Sequence, residues 1–558
     1  MMVRAGAAWC WLGGLLIAGV IAGRGAEPAG ATARETAMVP MRDGVRLATD
    51  VYRPAGPGPF PVVLVRTPYG REVIGDLGTN GARRGYVVVS QDTRGRFGSE
   101  GENLPFATDG WGAAADGFDT CAWLMRQPWC NGRIGTYGGS AVGITQLLLA
   151  GSEPVGLVSQ HITVGAPNLY RDCIFPGGVF KKAMIEDWLR VSKFSDAALS
   201  RWTAHPTHDA YWRERELDGR YGRVHAAGLH IGGWFDIFAQ GTLDAFTGYQ
   251  EHGGRGARGR QRLVMGPWTH GVFQEKAGEL KFPNGKKPPG DVADTWRWFD
   301  ATLKAGGLAP AAGPAVTYYV MGDVEDPQAP GNRWRQADAW PPPARTQRWF
   351  CHFDHELVPA APRERTAGLE FTYDPANPVP TTGGPHLTLP AGPRDQRAVE
   401  SRPDVLVFSS AALAEPVEVT GRVRLQLWAA SDAPDTDFFA RLCDVYPDGR
   451  SFNLCEGQLR ARFRESFERE RLLQPGRPYR FEIDLGSTSV VFNRGHRIRL
   501  QITSSSAPGY DPNPNTGEPF RAGARQRVAR NTVLLEAAHP TSLWLPVVSG
   551  SAPRTVRP

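Results

Sequence analysis

Between residues 61 and 265 the chain repeats one pattern, a short unbroken apolar run followed by a loop of small and polar residues. The runs are 61–66 (PVVLVR), 85–90 (GYVVVS), 134–137 (IGTY), 157–164, 228–232 (GLHIG) and 262–265 (RLVM). A strand with one wet face alternates polar and apolar residues, whereas an unbroken apolar run suits a strand covered on both faces. Stretches with helical spacing, 116–127 (DGFDTCAWLMRQ) and 142–150, lie between the runs. Strands alternating with helices predict a parallel sheet with helices on both sides. In such sheets chemistry gathers at the carboxyl ends of the strands, so the residues that follow each run are the candidates.

The run at 134–137 leads into Gly138-Gly139-Ser140-Ala141-Val142-Gly143 and then an apolar helical stretch. Strand, sharp turn and helix with a serine at the turn is the arrangement of a nucleophile elbow. The serine backbone there is strained, which requires small neighbours, and Gly138, Gly139, Ala141 and Gly143 are small. The helix start would aim backbone N–H groups at a developing oxyanion. The usual elbow reads G-x-S-x-G; this one has Val142 two places after the serine and Gly143 one place later.

Two other runs end on residues that complete a set. The run at 228–232 ends in Gly233-Trp234-Phe235-Asp236, and that at 262–265 ends in Gly266-Pro267-Trp268-Thr269-His270. Serine, aspartate and histidine each follow a strand in the chain order Ser…Asp…His, the order of α/β-hydrolase triads. Three side chains on one sheet edge can converge whatever their separation in sequence. Each has a plainer reading. Asp236 would serve as a helix N-cap, and His270 is one of twelve histidines. His161 is a rival base, but it lies inside a run rather than after one. Tyr69 follows the run at 61–66 and stands on the same edge. Arg94, in the loop after the second run, either secures that loop or meets substrate.

The strand pattern lapses between 165 and 222. Around 181–191 the chain is amphipathic and helical, and 205–212 (HPTHDAYW) breaks it, as expected of a helical insertion that caps the site. From about 316 short extended runs follow one another, separated by Gly-, Pro-, Asp- and Asn-rich turns, and long helical periodicity disappears. This predicts an all-β sandwich or jelly roll. The expected organisation is a leader at 1–33, hydrolase core at 34–164 and 223–315, cap at 165–222, and jelly roll at 316–558. Residues 34–53 read as a hairpin turning at Asp43-Gly44.

Composition narrows the function. A net charge of +6 over 558 residues, without basic runs, gives no nucleic-acid signal. Arg4 and the apolar stretch 7–23, followed by Ala31-Thr32-Ala33, read as an export signal, so a periplasmic or secreted protein is expected. The alternative is an uncleaved membrane anchor, and no later stretch could span a bilayer. Beyond the leader there are six cysteines. Cys121–Cys130 and Cys443–Cys455 are the nearest pairs, and bridges or buried free thiols are both compatible with export.

The motifs RTPYG (66–70), DTRGRFGSEG (92–101), GTYGGSAVG (135–143), HPTHDAYW (205–212), GGWFDIF (232–238) and GPWTH (266–270) resemble the CocE/NonD hydrolases, the group of cocaine esterase and the X-Pro dipeptidyl-peptidases. In the β-rich part, 433–457, FNRGHRIRLQITSS (492–505) and NPNTG (513–517) resemble that family's C-terminal domain. The resemblance implies an α/β-hydrolase core, an inserted helical cap and a jelly roll. It implies Ser140 as nucleophile, Asp236 as orienting acid, His270 as base, and Tyr69 with the Ala141 N–H as oxyanion hole, with no metal or cofactor. The family elbow often carries tyrosine where this chain has Ala141.

The expected activity is hydrolysis of a small ester, amide or short peptide through an acyl-enzyme. Carboxylic-ester cleavage is favoured over X-Pro dipeptidyl-peptidase action because no site for a free peptide N-terminus is legible. The resemblance also takes in α-amino-acid ester hydrolases, whose pattern implies carboxylates soon after the triad aspartate to bind the substrate ammonium; here Asp236 is followed by Ile237, Phe238, Ala239 and Gln240. A non-catalytic exported binding protein is the reading from another class. Trp234, Phe235 and Trp268 either line an acyl pocket or pack the sheet edge, and Trp188 and Phe175 are candidates to roof the site.

Overall fold

The computed structural model describes residues 33–304, 313–523 and 525–548. Apart from Ala33, the leader lies outside the described residues. Strands β1 (Ala33–Pro40) and β2 (Arg46–Arg53) form the expected hairpin, paired from Ala33↔Arg53 to Pro40↔Arg46. Gly44 sits in its turn at φ 86°, a conformation that glycine adopts without steric cost.

The apolar runs become β3 (Phe60–Thr67), β4 (Val87–Asp92), β5 (Cys130–Gly139), β6 (Leu157–Thr163), β7 (Ala227–Gly233) and β8 (Gln261–Gly266). They pair in parallel, and the sheet order is β1-β2-β4-β3-β5-β6-β7-β8-β9-β10. The last two strands, β9 (Val316–Val320) and β10 (Arg333–Ala337), correct the sequence reading, which opens the jelly roll at residue 316. Instead β9 lies parallel to β8, and β10 closes the sheet antiparallel to β9. All five residues of β9 are buried, as a strand covered on both faces requires.

Helices α1 (Gly75–Arg83), α2 (Asp116–Met125) and α3 (Ala141–Gly151) pack on this sheet. The sequence reading names no helix at α1, whose three glycines weaken it. Two of those glycines serve close approach to the sheet. A Cβ on Gly78 would lie 2.7 Å from the Tyr52 ring, and one on Gly81 only 2.3 Å from Val88.

The insertion holds a single π-turn, Tyr170–Ile174, then α4 (Lys182–Val191), α5 (Ala197–Thr203) and α6 (Ala210–Arg213). It buries its own aromatic cluster around Tyr170, Phe175, Phe180, Trp202 and Trp212. The 205–212 motif is a capping device, in which Asp209 accepts from the Tyr211 N–H at 2.9 Å and lies 2.6 Å from His205 Nδ1. The chain then returns through β7 to α7 (Ala239–His252).

The C-terminal part is all β, built from β11 (Arg345–Cys351), β12 (Gly368–Tyr373), β13 (Leu406–Ser409), β14 (Val417–Ser431), β15 (Asp437–Val445), β16 (Ser451–Arg460), β17 (Tyr479–Phe492), β18 (Arg497–Thr503), β19 (Ala529–Glu536) and β20 (Ser542–Val547). One antiparallel sheet centres on β14, which pairs with β17, β19 and β20. The other runs β13-β18-β15-β16. Its sequence motifs hold this fold together. Arg460 and Arg462 pair with the buried Asp437 and Asp435 at 2.9 and 2.8 Å. Asn513, from the NPNTG stretch, donates to both carboxylates at 2.8 and 2.9 Å, which satisfies charges that would otherwise be costly to bury. The six described cysteines are free thiols.

Candidate active site

Four parallel strands deliver the expected residues to one rim. Ser140 follows β5, with φ 59° and ψ −125°. Its N–H donates to the Thr163 carbonyl at 3.0 Å, which fixes the elbow against the end of β6. A Cβ on Gly138 would come within 2.2 Å of Val142 Cγ1, so glycine is obligatory there and Val142 fills the space it leaves. Gly143 faces the Thr163 carbonyl and Gly165, where a Cβ would sit at 3.1 and 3.3 Å. The glycine displaced by one place from the usual elbow therefore serves the contact between α3 and β6.

His270 Nε2 lies 2.8 Å from Ser140 Oγ, and His270 Nδ1 lies 2.5 Å from Asp236 Oδ1. Asp236 is 1% exposed, and its other oxygen accepts from the Phe238 N–H at 3.0 Å. This is a local turn two residues on and not a helix cap, because α7 starts at Ala239 with Phe238 as its N-cap, so the capping alternative for Asp236 does not hold. Phe238 stands edge-on to the His270 ring, with centroids 5.7 Å apart, and shields it. His161, the rival, is buried within β6 with Thr295 Oγ1 3.3 Å from its Nε2, and burial pushes its pKa down to about 4. It is held neutral and apart from the rim.

Tyr69 follows β3. Its hydroxyl accepts from Trp188 Nε1 at 3.0 Å. Burial pushes its pKa up to about 12 against the opposing effects of Trp188, Arg96 and Ser140, so it remains a proton donor at neutral pH. Ala141 is the first residue of α3, where an N–H has no acceptor within the helix.

A small pocket opens beside Ser140. Its lining is apolar, from Phe106, Ile144, Met184, Ile185 and Trp188, closed by Ile237, Phe238 and Leu387, with Ala141 and Cys173 completing it. Trp188 is the one expected pocket residue found there, stacked on Phe106 with centroids 5.8 Å apart. The other four do not line it: for Trp234, Phe235 and Trp268 the sheet-edge alternative holds, and the roofing role expected of Phe175 is corrected. The indoles of Trp234 and Trp268 donate to the Tyr319 and Gly285 carbonyls at 2.7 and 2.8 Å and pack the sheet edge. Phe235 lies against Phe282, and with Trp234 it borders a separate cavity between the core and the β-rich part. Phe175 is sealed in the cap cluster against Phe180 and Trp212. Arg94 pairs with Asp116 and Asp43 at 2.7 and 2.8 Å and secures its loop.

Several lining residues escape the sequence reading. Met184 and Ile185 share a face of α4 with the expected Trp188 at helical spacing, a signal that could have found them. Leu387 arrives from a loop between β12 and β13 and carries no local signal.

This fold and this rim define a serine hydrolase of the α/β-hydrolase type. Residues 43–201 and 190–272 match the X-Pro dipeptidyl-peptidase (S15 family), and residues 311–544 match the X-Pro dipeptidyl-peptidase C-terminal non-catalytic domain. The chain is 34% identical to the cocaine esterase of Rhodococcus sp. (strain MB1 Bresler), over 92% of this chain and 98% of that protein. It is 27% identical to a putative serine esterase of Mycobacterium bovis, over 90% and 95% of the two chains. Among solved structures, an α-amino acid ester hydrolase superposes with a TM-score of 0.77 at 26% identity, covering 95% of this chain and 99% of that one. A CocE/NonD family hydrolase from Staphylococcus aureus reaches 0.70 at 20% identity, covering 93% and 94%. The chain belongs to the CocE/NonD family of serine hydrolases.

Proposed function

We propose that the protein is a carboxylic-ester hydrolase that cleaves esters of apolar acyl groups through an acyl-enzyme on Ser140. His270 takes the Ser140 proton as the oxygen attacks the ester carbonyl. Asp236 accepts from Nδ1–H, fixes the tautomer and stabilises the imidazolium. The Ala141 N–H and the Tyr69 hydroxyl receive the oxyanion, each donor contributing about 2.7–4 kcal/mol. His270 then protonates the leaving alcohol. Water, deprotonated by the same imidazole, releases the acid.

The observation that carries this reading is the pocket lining. Among the described residues that line this pocket there is no carboxylate to fix the α-ammonium that a dipeptidyl-peptidase must recognise; the carboxylates Asp172, Glu456 and Asp484 line the separate cavity between the core and the β-rich part. An apolar acyl group gains free energy from every Å² it buries there, about 25 cal/mol. A charged ammonium would lose its hydration without replacement. The family likeness to X-Pro dipeptidyl-peptidases supports the reaction class, and the pocket argues for the ester within it.

The test compares p-nitrophenyl esters of increasing acyl length with an X-Pro-nitroanilide. The expected result is saturable ester hydrolysis, with little or no dipeptide release. Dipeptide release at a kcat/KM equal to or above that of the best ester would overturn the reading.

A further inference from the structure

We propose that Arg96 is a positioning residue that locks the cap helix onto the oxyanion loop and thereby aims the Tyr69 hydroxyl. The inference rests on the oxyanion role given to Tyr69 above.

Arg96 lies in the loop after β4 and is 7% exposed. A buried guanidinium ordinarily has a carboxylate against it. This one spends its hydrogen bonds on neutral oxygens. Nε donates to the Pro68 carbonyl at 2.9 Å, Nη2 to the Ser192 carbonyl at 2.5 Å, and Nη1 to the Lys193 carbonyl at 2.8 Å and to Asn103 Oδ1 at 3.1 Å. The guanidinium carbon also stands 4.4 Å from the Phe194 ring centroid.

The choice of acceptors gives the arrangement its meaning. Pro68 immediately precedes Tyr69. Ser192 and Lys193 terminate α4, whose C-terminal carbonyls attract a cation. Trp188, on the same last turns of α4, holds the Tyr69 hydroxyl from the other side at 3.0 Å. Tyr69 is thus fixed at both ends, its backbone through Pro68 and its hydroxyl through Trp188, and Arg96 ties the two supports together. Lysine could not do this, because a single ammonium lacks the planar fork that spans three carbonyls. Arg96 also leaves a positive charge near the hydroxyl, which favours the phenolate-like character of a strong donor. Oxyanion donors need their geometry set before the reaction to be effective, and Tyr69 lies two residues beyond the end of β3, where sheet pairing fixes the backbone entering the loop but not the hydroxyl.

The experiment is a double-mutant cycle on the full-length enzyme with a p-nitrophenyl ester, reading the single-turnover acylation rate, KM and Tm. Arg96→Met should slow acylation about tenfold or more with KM changed less than about threefold. Added to Tyr69→Phe, it should cost less than about twofold further, because Arg96 acts through that hydroxyl. Arg96→Lys keeps the charge and is expected to fold; it should slow acylation at least about threefold. Equal losses from Arg96→Met in the wild-type and Tyr69→Phe backgrounds would overturn the proposal. So would full acylation by Arg96→Lys. Full acylation by Tyr69→Phe alone would instead remove the oxyanion reading, a result the cycle reports separately.

Discussion

The strand-end rim and the pocket wall face each other across Ser140, yet they are made in different ways. The rim residues Ser140, Asp236, His270 and Tyr69 each sit just after a parallel strand whose register is fixed by its neighbours. The wall is assembled from a loop at Phe106, two faces of α3 and α4, the residues after Asp236, and Leu387 from the β-rich part. A rim held by one sheet can keep reacting atoms in place while the wall varies. The reaction is therefore a property of the sheet, and the acyl preference a property of the segments laid over it.

That division is open to attack first at the rim. Ser140→Ala should lower kcat by on the order of 10⁶-fold without shifting Tm, because the hydroxyl supports no other part of the fold. Asp236→Asn should cost about 10⁴-fold by favouring the wrong imidazole tautomer. Tyr69→Phe should cost about 10²–10³-fold in kcat. A wall substitution should behave differently. Leu387→Ala should alter the ratio of kcat/KM between long and short acyl esters by about tenfold, leaving the best kcat within a few-fold. If Leu387→Ala reduced all esters equally, the wall would belong to the chemistry and the distinction would fail.

The smallest expected effect sharpens the rim's membership. His161→Gln should retain kcat/KM within about threefold, since His161 is buried away from Ser140. Its pKa is lowered to about 4 from an unfolded value near 6.5. The unfolded chain then binds the extra proton between these values, so the stability that neutral His161 maintains is present above pH 6.5 and lost as the pH falls towards 4. Compared with wild type, His161→Gln should lose less Tm over that interval.

The same division explains how much could be read from the sequence. The unbroken runs 61–66 and 85–90 announce a buried parallel sheet, and the residues after four runs name the rim, because strand ends are local features. β9 is assigned to the wrong layer because an apolar run does not say which sheet it joins. α1 goes unread because Gly78 and Gly81 lower helix propensity, while the reason for them, contact with Tyr52 and Val88, is tertiary. Trp234 and Trp268 flank rim residues in sequence, but their indoles turn back into the sheet. Leu387 is more than a hundred residues past the rim and reaches Ser140 only because the β-rich part folds against the cap. Sequence proximity to the rim is a poor guide to the wall.

One measurement bears most directly on the rim's chemistry. A fluorophosphonate incubated with the full-length protein, followed by peptide mass mapping, reports which side chain the imidazole activates. The predicted result is a single stoichiometric adduct on Ser140, absent from Ser140→Ala and strongly slowed in His270→Gln. Stoichiometric labelling of another residue, or undiminished labelling and ester hydrolysis in Ser140→Ala, would contradict it.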